Sequence, residues 1–168
     1  MINSEIALTI RQLTELDFPV WKKIRMEALT LHPDAFWGDS ETEQQKSDLA
    51  WQEDINKSAI FGVFYNKELI GTAGFYKYHQ KKRSHIGSLF GVYVKKEFRA
   101  QGIADKLLKV VIKHASNYVF ILHCCVTTHN RSAFNLYERH GFKEYGIEHK
   151  AIKVNDTYYD EILMSLTL

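Results

Sequence analysis

Arg99, Gly102 and Ala104 stand as R-x-x-G-x-A within EFRAQGIADKLLKVV, where one kind of element gives way to another. Before this stretch SLFGVYV reads as a strand; after it, IADKLLKVVIKHA sets Ala104, Leu107, Leu108, Val111 and Ala115 on one helical face. A helix begins with unpaired N–H groups and a partial positive charge, so a strand-to-helix turn of this type is an anion site. Gly102 leaves the backbone open to an oxyanion, Ala104 keeps the first turn small, and Arg99 offers a charge-assisted contact. Phosphate is the guest that suits these residues. Neither G-x-x-x-x-G-K-[ST] nor G-x-G-x-x-G is present, which argues against an ATP-cleaving loop and a dinucleotide fold. A glycine ahead of a helix also serves ordinary turn geometry.

The elements that must hold this turn follow from patterning. ALTIRQL alternates as a first strand, and Asp17 stands where it would cap a helix running through VWKKIRMEALTL to a break at His32-Pro33. A polar helix is expected from Ser40 to Asn56, with Leu49, Trp51 and Ile55 buried. AIFGVFY and ELIGTAGFYKY flank Asn66-Lys67 as an antiparallel hairpin, and a third strand follows a basic loop. YVFILHCCV is a continuous apolar run, suited to a strand covered on both faces. RSAFNLYERHGF makes a short helix with Ala133, Phe134 and Tyr137 on one side and Gly141 as its stop. The tail forms a hairpin about Asn155-Asp156, with Ile162, Met164, Leu166 and Leu168 alternating toward a core.

Composition bounds the reading. The chain has 168 residues, 45% hydrophobic and 25% charged, which fits a single domain over residues 1–168, and its two prolines mark no linker. No apolar run approaches the roughly 18 residues of a membrane span, and MINSEIALTIRQLT lacks the pattern of a signal peptide. A cytoplasmic protein, with no membrane partner, is the default. A net charge of +2 does not argue for nucleic acid, although KYHQKKRSH is a local basic cluster; a solvated loop is its plainer reading. Cys124 and Cys125 are neighbours in an apolar run and suit reduced core thiols in a reducing compartment. The eight histidines show no H-E-x-x-H and the cysteines no C-x-x-C, so no metal is expected.

With R-x-x-G-x-A and, further on, HNRSAFNLYERHGF in view, the chain resembles the GNAT superfamily of N-acetyltransferases. The first motif is similar to that superfamily's Q/R-x-x-G-x-G/A. The second is similar to N-x-x-A-x-x-x-Y-x-x-x-G-F, carried by Asn130, Ala133, Tyr137, Gly141 and Phe142. The order of elements along nearly the whole chain is also that of the family. The resemblance implies an α/β (α+β) fold: one mixed, mostly antiparallel sheet of about seven strands with helices on both faces. It implies acetyl-CoA as cosubstrate, its pyrophosphate on the backbone of Arg99, Ala100, Gln101, Gly102, Ile103 and Ala104. Its pantetheine would pair with Val92, Tyr93 and Val94 where two parallel strands splay and leave backbone groups unpaired. Lys95 and Lys96 are either electrostatic aids or ordinary solvated lysines.

Acetyl transfer from a thioester to an amine needs a neutral amine, a stabilised oxyanion and a proton for the departing thiolate. The resemblance makes Tyr137 the general acid, a phenol protonated at neutral pH; by residue type alone it is a core aromatic. Asn130 is a helix N-cap, a pantetheine partner, or both. Val92 offers the oxyanion N–H. Glu27, Glu41 and His85 are candidates to meet the amine, each with an exposed structural role as its alternative, and water serves as base in many relatives. Because His123 and Cys125 alone share a side of their strand, a cysteine nucleophile is not favoured and direct transfer in a ternary complex is expected. RMEALTLHPDAF resembles a bacterial subgroup with an R-x-E-A-L, P-x-A-F pattern that acts on small acceptors. Phe36, Trp37, Tyr76 and Tyr93 would wall the acceptor site, which leaves a small-molecule amine or a peptide N-terminus open. A non-catalytic acyl-CoA sensor and a basic-loop interaction protein are the competing classes, and a homodimer through the last strands is common in relatives.

Overall fold

In the computed structural model, residues 8–168 are described. They form strands β1 (Thr9–Gln12), β2 (Ala59–Tyr65), β3 (Glu68–Lys77), β4 (Ile86–Val94), β5 (Ile121–Thr127), β6 (Lys143–Val154) and β7 (Thr157–Thr167). The helices are α1 (Phe18–Leu31), α2 (Ser40–Gln44), α3 (Asp48–Lys57), α4 (Ile103–Ala115) and α5 (Arg131–Arg139). Ala7, where the expected first strand would begin, lies outside the described residues, as does the start of the N-terminal segment weighed as a signal peptide.

One seven-stranded sheet runs in the order β1-β2-β3-β4-β5-β7-β6, antiparallel throughout except at the β4–β5 pair. This is the mixed sheet the family resemblance implies. Its two faces are covered separately. On one, Leu107, Leu108 and Val111 of α4 pack with Ile70, Phe75, Leu122 and Met164; on the other, Trp21 and Ile24 of α1 and Trp51 and Ile55 of α3 pack with Ile60, Leu69 and Tyr93. The β2–β3 turn has φ of 49° at Asn66 and 67° at Lys67, the left-handed pair that lets a two-residue hairpin follow the twist of its strands.

Several expectations are corrected. Asp17 stands at the N-cap position of α1 but its side chain makes no capping bond there: the carboxylate instead accepts from the Thr14 N–H at 2.8 Å and pairs with Arg11 at 2.7 Å. The Ser40–Asn56 stretch is two helices, each with its own cap, Asp39 accepting from the Thr42 N–H and Ser47 from the Ala50 N–H. Leu49 is 64% exposed, because α3 buries only Trp51 and Ile55. Lys95 is buried and turned toward Glu68, so it is not a solvated lysine.

Candidate active site in the split sheet

The parallel β4–β5 pair has three bridges, Ile86 to Ile121, Gly87 to Leu122 and Ser88 to His123, and then stops, although both strands run on. Beyond Ser88 the backbone groups facing the gap have no ladder partner, and buried groups of that kind call for a guest. Outward of Ser88, β4 also kinks. Gly74 lies opposite Phe90 and Thr72 opposite Tyr93, so Gly91 and Val92 together face Ala73, a bulge with Gly91 at φ 61°. The result is a cleft of about 820 Å³ through the sheet.

The phosphate turn closes one wall. Arg99, Ala100, Gly102, Ile103 and Ala104 line the cleft, as do Val92, Tyr93 and Val94; Gln101 is not among the lining residues, and its side-chain amide donates to the Glu97 carbonyl at 3.3 Å. Gly102 is the N-cap of α4 with φ 70°, and a Cβ there would meet nothing within 4 Å, so the site is open toward the helix start. Ala104 is half-buried, lining the cleft while packing against the core face of α4, which Ile103 also joins. Asp105, an acid in the first turn that would oppose a phosphate, is engaged by Arg139 and His140, each at 3.2 Å. The Arg99 guanidinium does not reach over the helix start: its Nε donates to the Val94 carbonyl at 2.8 Å, and it lies 5.4 Å from the Tyr93 ring centre.

Asn130 caps α5, accepting from the Ala133 N–H at 3.2 Å. Its helix brings Tyr137 to the cleft, 7% exposed, with burial and the nearby Cys124 and Cys125 holding the phenol well above its ordinary range. Opposite, on β7, stands a residue that motif reading did not find. Glu161 is 2% exposed, accepts from Trp37 Nε1 at 2.8 Å and from the Cys125 thiol, and is pushed up by burial. Cys125 itself is pushed up to about 12, by burial first and then by Glu161. The Thr127 hydroxyl, 2% exposed at the end of β5, lines the cleft without a partner among the described residues.

Residues 32–38 cross the split as a strap. His32 Nε2 lies 3.2 Å from Arg99, His129 Nε2 is hydrogen-bonded to Asp34 at 2.6 Å, and Trp37 holds Glu161. The strap brings Phe36 and Trp37 to the wall, where Tyr76 joins them, packed on Phe90 with ring centres 5.5 Å apart. The other candidates fall elsewhere. Glu27 is not among the cleft's lining residues; its carboxylate accepts from the Tyr93 hydroxyl at 2.9 Å, and burial and that contact push the phenol to about 12. His85 precedes the closed end of the split, its carbonyl accepting from the Phe120 and Ile121 N–H groups. Glu41 borders a second cavity of about 600 Å³, which shares Phe36, Trp37, Gly38 and Glu161 with the first. No metal-binding cluster occurs among the described residues, and no helix there is long and apolar enough to cross a membrane.

Against known proteins, residues 18–142 match the model of the Acetyltransferase (GNAT) family. No curated protein sequence shows a significant match. Among solved structures, a GNAT-family acetyltransferase from Streptococcus pneumoniae aligns with a TM-score of 0.85 at 22% identity, over 96% of this chain and 99% of that one. The ribosomal-protein-alanine N-acetyltransferase of Brucella melitensis aligns at 0.78 and 24%, over 95% and 99%. A Salmonella typhimurium protein described as an acetyltransferase, with its cofactor acetyl-CoA, aligns at 0.80 and 21%, over 96% and 94%. At these identities the likeness is one of fold.

Proposed function

The chain belongs to the acetyltransferase (GNAT) family, and from that premise we propose that it transfers the acetyl group of acetyl-CoA directly to a primary amine within a ternary complex. The observation that carries the reading is the β4–β5 pair that opens after three bridges, with the α4 start at one wall and Tyr137 facing the gap. The residues fit the donor: unpartnered backbone edges and the orphan Thr127 hydroxyl suit its amides, and the Gly102 helix start suits its diphosphate. Acetyl-CoA brings an activated acetyl thioester; the chain's residues do the rest.

Each residue then has a task. Tyr137, kept protonated by burial, donates to the sulfur as the C–S bond breaks. Val92, within the bulge, offers its N–H to the charge that develops on the carbonyl oxygen as the N–C bond forms. The ammonium of the acceptor must lose one proton before attack and a second as the amide forms. Glu161, raised by burial and so a stronger base than an exposed glutamate, receives the first and passes it to solvent, and the second restores the proton that Tyr137 gave to the sulfur. Glu161 thus replaces Glu27 as base. Cys125 stays a thiol below about 12 and is no nucleophile, which supports direct transfer. Small amines and peptide N-termini are both candidate acceptors; the fold is shared with a ribosomal-protein-alanine N-acetyltransferase, and Phe36, Trp37 and Tyr76 would flank either.

The test is release of coenzyme A thiol from acetyl-CoA over a panel of amines, amino acids and short peptides, comparing wild type with Tyr137→Phe. Amine-dependent release is expected, with turnover in the variant lower by about 10²- to 10⁴-fold and acetyl-CoA affinity nearly intact. Unchanged turnover would remove Tyr137 from the mechanism. Binding of acetyl-CoA with no release for any amine would favour a sensor, and no binding would end the reading.

A further inference from the structure

Arg25, the first residue of the R-x-E-A-L match, is a charge in the cleft to which neither the phosphate turn nor the transfer chemistry gives a task. It projects from α1 beneath the strap, its guanidinium 5.4 Å from the Phe36 ring centre. Gly38 makes room for it, since a Cβ there would lie 3.0 Å from one terminal nitrogen; the other nitrogen borders Gly91, where a Cβ would meet it at an ordinary 3.6 Å. A guanidinium stays charged and has five N–H donors in a fixed fork. Among the described residues Arg25 has no hydrogen-bond or ion-pair partner. Glu43 and Asp54 attract it at longer range, but Lys46 already holds both, at 2.7 and 2.8 Å. Burying such a fork without an acceptor is costly, so the arrangement asks for an anion from outside.

The opposite charge is held by the same strap. Phe36 carries Arg25, and the next residue, Trp37, carries Glu161. Both charges line one cleft. Glu161 is in contact with Cys125 of β5, and Arg25 lies beside Gly91 of β4, so the two charges stand at the two strands that flank the split. Resting on the acetyl-transfer reading above, we infer that the acceptor is a small amino acid, its amine at Glu161 and its carboxylate on the Arg25 fork. A peptide N-terminus has an amide where this carboxylate would be, and would leave the fork unfilled.

The test compares matched pairs: amino acids with one to three carbons between amine and carboxylate, their amides, and plain amines. For each, thiol release is measured, and binding to the acetyl-CoA-free protein is measured by calorimetry. At least one amino acid should bind and react with a KM below that of its amide. Arg25→Gln should raise that KM about 10- to 100-fold while leaving the amide's KM and acetyl-CoA affinity unchanged. Arg25→Lys, which keeps the charge but not the fork, should recover part of the loss, and thermal melts establish that both variants fold. The inference is overturned if amides or peptides react as well as amino acids, or if Arg25→Gln affects acid and amide alike. Those results would leave acetyl transfer standing, whereas absence of acetyl-CoA binding and of release with every amine would remove the transfer reading itself.

Discussion

Tyr137 and Glu161 are raised by the same physical cause, and the proposed mechanism puts them to opposite uses. Desolvation favours the neutral form of each; for the phenol this means a proton kept in place for donation, and for the carboxyl a stronger base than an exposed glutamate. The pH dependence follows in sign. As pH falls through the raised Glu161 value the base is protonated, so kcat/KM should decline on an acidic limb lying above the ordinary carboxylate range. Glu161→Gln should lower kcat/KM by about 10²-fold or more and lose that limb, while acetyl-CoA affinity holds. Profiles of both proteins over pH 5–9 check this, and an unchanged limb in the variant would assign it to another group. Glu161 was hard to see in the sequence. The alternation of Ile162, Met164 and Leu166 does turn it to the opposite face, but its partner Trp37 lies 124 residues away and no local spacing joins them.

Among the elements, α4, the Asn66-Lys67 hairpin and the helix of the second motif were legible, because each is specified by residues adjacent in the chain. What escaped was decided by contact with distant parts. Leu49 is apolar like Ile55 but stays exposed, and the strap over residues 32–38 owes its path to Arg99, His129 and Glu161. The α4 start gives an element-level prediction. Gly102→Val places a branched side chain at φ 70°, where strain of about 1–2 kcal/mol is expected although no protein atom is crowded. The melting temperature should fall modestly, while acetyl-CoA affinity should fall further than that strain explains, because the added atoms occupy the space above the helix start. Calorimetric titration beside thermal melts separates the two effects; equal losses would mean that the turn is structural alone.

At the scale of the molecule, the two packed faces make one body, yet the sheet is continuous only through three bridges between β4 and β5. The strands β1 to β4 form one half and β5, β7 and β6 the other, with α4 packed across the join. Acetyl-CoA, laid along the exposed edges, would serve as the missing rungs. At a hundred times its dissociation constant it should stabilise the fold by about 2.7 kcal/mol, read as a raised melting temperature. Amide exchange should slow most at Leu89–Val94 and Cys124–Thr127, and uniform slowing over the chain would count against this picture. The seam has a consequence for heredity as well as for binding. A sheet left unfinished along its middle would gain cohesion from its donor, so substitutions in either half that loosen the seam would be masked wherever acetyl-CoA is plentiful and exposed when it is scarce.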